Sequence, residues 1–285
     1  MSYSDVNLDV GEITFQQWFE SMTAIGVVYT TAGFVIAADG RSSLSEDISI
    51  GTDGQQKIFR GRMGTAEVAW SLAGIVSNKD KSFSLIDEVA QAMDVANAAD
   101  PQPRGCSPWL DIFSAHLRAS VGRARNAGLI PPFTANMNMN TPNEAERNTF
   151  ATVFVVGYFC NGRPSSVRIQ IAHSDGELSD PLPRLLFAAS STPEHNVYYG
   201  SQEIAKRYHD CHKDKRFLKY FHAPGRSLDE GLAHVKGFIE ACSDPLALEV
   251  DPVICRGIGG HIHAAAVTPA GFRWLIEPWS TSSSL

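Results

Sequence analysis

Hydrophobic periodicity changes in blocks along this chain, and the order of the blocks excludes most architectures. Thr23 to Tyr29 and Phe34 to Ala38 are β-rich runs joined by Thr30-Thr31-Ala32-Gly33, a short hairpin loop. Gln56 to Phe59 and Glu67 to Ile75 are two more strands. Helical spacing then takes over: Leu85, Ile86, Val89, Ala90, Met93 and Ala96 share one face of a helix over about 83–98. Asp100-Pro101-Gln102-Pro103-Arg104-Gly105 breaks it. Ser107-Pro108 opens a second helix to about residue 127, with Leu110, Phe113, His116, Leu117 and Val121 on one side. Strands return over 150–160, 167–172 and 184–190. Two helices follow, over about 201–221 and 227–242. Ser227 and Glu230 give the second a capping-box pattern. The last hairpin runs from His261 to Thr268 and from Phe272 to Ile276 around Pro269-Ala270-Gly271. Strands, two helices, strands, two helices, strands is not the alternation of a doubly wound parallel sheet. Two antiparallel sheets with helix pairs on their outer faces satisfy it.

Composition narrows the function. The chain has 285 residues, 44% hydrophobic and 19% charged, which suits a folded core rather than disorder. A net charge of -7 gives no bulk attraction to nucleic acid or anionic membrane. No apolar run reaches about 18 residues, so no membrane-spanning helix is expected. The acidic start lacks the apolar region of a secretory signal. Five scattered cysteines, with no CxxC pair, suggest reduced thiols and a cytoplasmic setting. GxGxxG, Walker A and HExxH patterns are absent.

The most informative stretch runs from Met22 to Arg41. Thr23 opens a short apolar strand containing Gly26; a turn follows, then a second apolar strand ending in Ala38-Asp39-Gly40-Arg41. Lys57-Ile58-Phe59 comes next, and Glu67 to Gly74 reads as a further strand and turn. The arrangement resembles the start of a mature proteasome β subunit, a threonine-type N-terminal nucleophile (Ntn) hydrolase. The resemblance extends at pattern level over most of residues 23–276, with Gly259-Gly260 before the final hairpin. It implies an α+β fold, a four-layer α/β/β/α sandwich of two antiparallel sheets. It also implies a leader over residues 1–22 and one domain over 23–280, with an insertion at 100–150.

The roles implied are specific. Thr23 is the nucleophile, and its freed α-amine is the base. Lys57 is an electrostatic activator with Asp39 as its partner, and Arg41 stands behind them. Gly74 contributes to the oxyanion hole, and Ser191 stands for the family's supporting serine. The substrate is a peptide or small amide, no cofactor is called for, and relatives assemble as homo- or hetero-oligomers. This sequence departs from the family in these places: Met22 precedes the threonine where glycine is usual, the glycines that flank the supporting serine are absent around Ser191, and Cys255 and Ile258 stand where the family has Asp and Ser. Those departures support a second reading, a proteasome-like scaffold or interaction protein without catalysis.

Two other clusters read as structural. His209-Asp210-Cys211-His212 lies among Lys206, Arg207, Lys213, Lys215, Arg216 and Lys219, a solvated basic helix face rather than a zinc site. His261 and His263 share one side of a strand, a packed or surface pair before a metal pair. The segment 131–147, with Met137-Asn138-Met139-Asn140, reads as a surface loop.

Overall fold

The computed structural model describes residues 18–21, 23–44, 50–78, 82–101, 106–129, 149–160, 162–174, 177–178, 182–187 and 196–279. These residues form an α+β fold of two antiparallel sheets with helices. The smaller sheet holds β2 (Ile25–Thr30), β3 (Gly33–Ala38), β12 (Val197–Tyr199), β13 (His263–Thr268) and β14 (Gly271–Ile276), in the order β12-β2-β3-β13-β14. β2 and β3 are the predicted hairpin, in register from Ile25↔Ala38 to Thr30↔Gly33.

The larger sheet is built on the long β7 (Ala66–Asn78). One edge of β7 pairs with β8 (Thr149–Cys160), which pairs in turn with β9 (Arg163–Ser174). β10 (Glu177–Leu178) and β11 (Leu182–Phe187) lie along the far edge of β9. The other edge of β7 is shared. Its first half pairs with β6 (Ile58–Met63), and its second half with β1 (Trp18–Ser21). Beyond β1 come β4 (Ser42–Leu44) and β5 (Ile50–Thr52). β1, the described segment before Thr23, is thus an interior strand between β7 and β4.

Three apolar clusters explain why these sequences fold this way. β8 is apolar on both faces because both are covered. Val153 and Val155 pack with Trp70 and Leu72 of β7 against α1 (Leu85–Ala99) and α2 (Cys106–Asn126). Phe154 and Val156 face Ile25, Val27, Ile36 and Ala265 of the smaller sheet. The other side of the smaller sheet, with Val28, Val35 and Ala37, packs on Ile204, Tyr208, Val235, Phe238 and Ile239. Those residues belong to α3 (Gln202–His209) and α4 (Leu228–Ser243). The capping box on α4 is present as predicted: Glu230 N–H donates to the Ser227 hydroxyl, and the Glu230 carboxylate accepts from Ser227 N–H. Asn97 joins α1 to its surroundings, its Oδ1 accepting from Gly64 N–H and Trp109 Nε1–H, both at 2.8 Å.

One predicted helix is broken. The segment 201–221 gives α3, a turn, and a separate 3-10 helix over Lys215–Tyr220. Asp214 is the physical reason. Its carboxylate caps the second helix through Arg216 N–H and also binds the Arg207 and Arg216 guanidinium groups at 2.7 and 2.9 Å. A short acceptor side chain of this kind competes with helix continuation. Other ion pairs account for much of the rest of the basic face: Lys206, Lys213 and Lys219 pair with Glu203, Asp210 and Asp244. Two short helices, α5 (Ala247–Val250) and α6 (Pro252–Cys255), precede the final hairpin. The predicted loop over 131–147 lies outside the described residues. No described helix is long and apolar enough to cross a membrane.

Candidate active site

Strand order brings Thr23, Asp39 and Lys57 to one end of the two sheets. Thr23 and Ala24 lead into β2, and Asp39 follows directly on β3. Because β2 and β3 form one hairpin, the start of the first strand lies beside the end of the second. Asp39 N–H donates to the Ala24 carbonyl at 3.2 Å, and Asp39 Oδ1 accepts from Ala24 N–H at 2.9 Å. The residue after Thr23 is thus bound to Asp39 in both directions. Thr23 itself is only 1% exposed.

Lys57 reaches the same carboxylate. Its Nζ lies 3.0 Å from Asp39 Oδ1, and both side chains are buried. Asp39 Oδ2 accepts from Gly259 N–H at 3.0 Å and Arg41 N–H at 3.2 Å. Burial pushes the Asp39 carboxyl up, while the Lys57 charge and the N–H donors pull it back. Burial pushes the Lys57 ammonium down, with the Arg41 charge in the same direction, while Asp39 pulls it back. Each Asp39 oxygen accepts two N–H donors, and a proton on Asp39 would displace one of them. The pair is therefore an ion pair, with Lys57 holding its proton less firmly than a lysine in water.

Arg41 braces the outside of this pair. Its guanidinium binds Asp53 through Nε at 2.7 Å and reaches the Ile258 carbonyl at 3.4 Å. Gly40 N–H donates to Gly259 O, and His261 N–H donates to Asp53 O. The loop carrying Gly259-Gly260 is thereby sewn to the end of β3. Gly74 has φ +104° in β7 and pairs with Ser21 of β1.

Ser191 lies outside the described residues. Another serine, Ser201 at the start of α3, follows Gly200, which lies beside Thr23. Ser201 is buried and caps α3 through Ile204 N–H, and its hydroxyl donates to Asp251 at 2.7 Å. Cys242 and Cys255 are buried in the apolar cluster between the smaller sheet and its helices. Burial pushes the Cys255 thiol up to about 12, so it is a neutral group. Gly200, at φ +126°, sits against Thr23: a Cβ there would meet the Thr23 carbonyl oxygen at 3.3 Å. The pair Gly200-Ser201 before an amphipathic helix was the available signal. Ile258 contributes its carbonyl to Arg41 and buries its side chain.

The histidines at the end of the chain do not form a metal pair. His263 Nε2 accepts from Lys57 N–H, and His261 Nε2 donates to the Glu277 carbonyl while its ring stacks on Trp279. Among the described residues, no group of three or more His, Cys, Asp or Glu side chains could hold a metal ion.

No known family's sequence profile matches the chain, and no curated protein matches it. Solved structures of similar shape include Anbu (ancestral beta-subunit) from Yersinia bercovieri, at 11% identity and TM-score 0.48, covering 90% of this chain and 87% of that one. A Gly-1 mutant of Anbu from Hyphomicrobium sp. strain MC1 aligns at 14% identity and TM-score 0.47, covering 89% and 87%. A further Anbu structure from that strain gives 13% identity and TM-score 0.45. The expected membership in the proteasome β-subunit-like Ntn hydrolase family is corrected here: the similar structures carry the name Anbu, not that of an Ntn hydrolase.

Proposed function

We propose that the chain hydrolyses a peptide or amide bond with Thr23 as nucleophile, once residues 1–22 have been removed. The observation that carries this reading is the shared Asp39 oxygen. It binds both the buried Lys57 ammonium and the amide of the residue after Thr23. A buried ion pair of this kind costs desolvation, and here its position ties a cation to the main chain of Ala24, the residue after Thr23.

The chemistry balances with groups of this chain. A threonine hydroxyl needs a base. The freed Thr23 α-amine, with a reference pKa of about 7.7 to 8.0, takes the Oγ proton as Oγ attacks the carbonyl carbon. The Lys57 ammonium stabilises the developing negative charge, and main-chain N–H groups near Gly74 serve the oxyanion. The protonated amine gives its proton to the leaving nitrogen, and an ester on Oγ remains. Water then cleaves the ester and restores the hydroxyl. Asp39 holds Lys57 charged, Arg41 fixes the loop behind it, and Gly200 lets the main chain pass close to Thr23.

Under this reading strand β1 belongs to the segment that leaves. It ends at Ser21, two residues before Thr23, and lies between β4 and β7. Its removal leaves a slot with a strand edge on each side, a shape suited to an extended peptide. We read the three apolar clusters as the seams of a four-layer sandwich over residues 23–280, with 1–22 as the segment to be released.

A scaffold without catalysis is the second reading, and the interior position of β1 favours it. A strand paired on both sides contributes to the sheet that its release would disturb. The two readings separate on one variant. Thr23→Ala should abolish both release of residues 1–22 and hydrolysis of fluorogenic peptides or small amides. Turnover in that variant equal to wild type would sink the hydrolase assignment.

A further inference from the structure

We propose that His263 is the positioning residue for Lys57, a neutral acceptor that fixes the main chain from which the ammonium reaches Asp39. Its Nε2 accepts from Lys57 N–H at 2.9 Å and from Ile58 N–H at 3.3 Å. Lys57 is the last residue before β6, so these two bonds set where the lysine leaves the sheet. Both halves of the ion pair are connected to this one residue. The backbone of His263 is in register with Ala38, next to Asp39, and its ring holds the backbone of Lys57.

The tautomer follows from the partners. A main-chain N–H only donates, so Nε2, which faces two of them, keeps its lone pair, and the proton of the neutral ring sits on Nδ1. The charged and titratable groups that act on the ring are Lys57, just before β6, and His261, preceding its own strand. The Trp274 ring of β14 packs edge-on at 6.4 Å. Asp39 already accepts four N–H donors, so an imidazolium would have no carboxylate of its own here. Burial, with the Lys57 charge second, lowers the His263 ring to about 4. The acceptor is therefore intact at neutral pH. A leucine would fill the space and offer no acceptor, leaving two buried N–H groups without a partner.

The catalytic consequence rests on the hydrolase reading, but the positioning does not. The test is an NMR titration of the full chain with labelled lysine, the Lys57 signal being assigned by its loss in Lys57→Arg. In wild type and in His263→Gln, whose carbonyl can accept both amides, Lys57 should titrate below the ordinary lysine value of about 10.4. In His263→Leu it should move back toward that value, and Lys57 should become open to acetic anhydride. Asn, too short to reach both amides, replaces Leu if the leucine chain does not fold. In the processed chain, His263→Leu should lower kcat about ten- to hundredfold at unchanged KM, with Gln restoring it. A Lys57 titration in the Leu or Asn chain identical to wild type would overturn the proposal, as would a folded Gln chain that behaves like Leu. Wild type without any Thr23-dependent turnover would defeat the hydrolase reading and leave the titration to decide the role of His263.

Discussion

Lys57 and Asp39 are the residues on which the site depends, and their burial makes them testable without any assay of activity. Lys57→Met leaves Asp39 buried without its counter-charge and should cost about 3–5 kcal/mol in urea denaturation. Lys57→Met combined with Asp39→Leu should cost clearly less than the two single losses added, because neither charge is then left alone. Equal additivity would mean the pair is not coupled. Acid should act through the buried histidines. His263 and His234 are both lowered to about 4, mainly by burial. The unfolded chain binds these protons near pH 6.5 and the folded chain only near pH 4. Stability from them is complete above about pH 6.5 and falls as pH drops through this window, by up to about 3 kcal/mol each. Urea midpoints that stay flat from pH 7 to pH 4.5 would contradict this. The Asp39–Lys57 contact was legible because its spacing lies within one hairpin strand and the segment that follows. Ser201 and His263 were not. Each works through a partner more than 35 positions away, Asp251 and Lys57 respectively, and nothing local in the sequence marks such a pair.

Among the elements, strands and helices with a clear period were legible to within a few residues, as in the β2–β3 hairpin and α4. The elements that sequence reading missed are short. β1, β4, β5 and β12 have two to four pairing residues each, too few for a period to show. α3 and the 3-10 helix were read as one helix because the charges flanking Asp214 hide a cap inside a helical pattern. β1 matters most to function. If residues 1–22 leave, residues 74–78 of β7 and residues 43–44 of β4 lose their strand partner. Their amides should then exchange faster with deuterium, and a peptide that adds as a strand should protect them again. Unchanged exchange after removal of the segment would mean that β1 does not cover these edges. α4 offers a separate check on packing. A Cβ on Gly26 of β2 would lie 2.9 Å from Val235 Cβ, so Gly26→Ala should destabilise by about 1–3 kcal/mol. Thermal unfolding measures that directly.

For the whole molecule, the order of periodicity blocks carried the architecture further than the family resemblance carried the identity. Two antiparallel sheets with helices followed from pattern alone, because a strand covered on both sides must be apolar on both faces and a covering helix on one. The identity did not follow, since a threonine, an aspartate and a lysine at the right spacing are compatible both with an enzyme and with a scaffold that has kept a buried ion pair. The difference between the two is covalent: a hydrolase of this design needs a free amine at Thr23, and a scaffold does not. The most direct measurement is the intact mass of the purified chain together with its N-terminal sequence. The account predicts a chain that begins at Thr23, and a Thr23→Ala variant that keeps residues 1–22. A wild-type chain that keeps those residues under every condition of assembly would contradict it, and the buried pair would then be a structural strut.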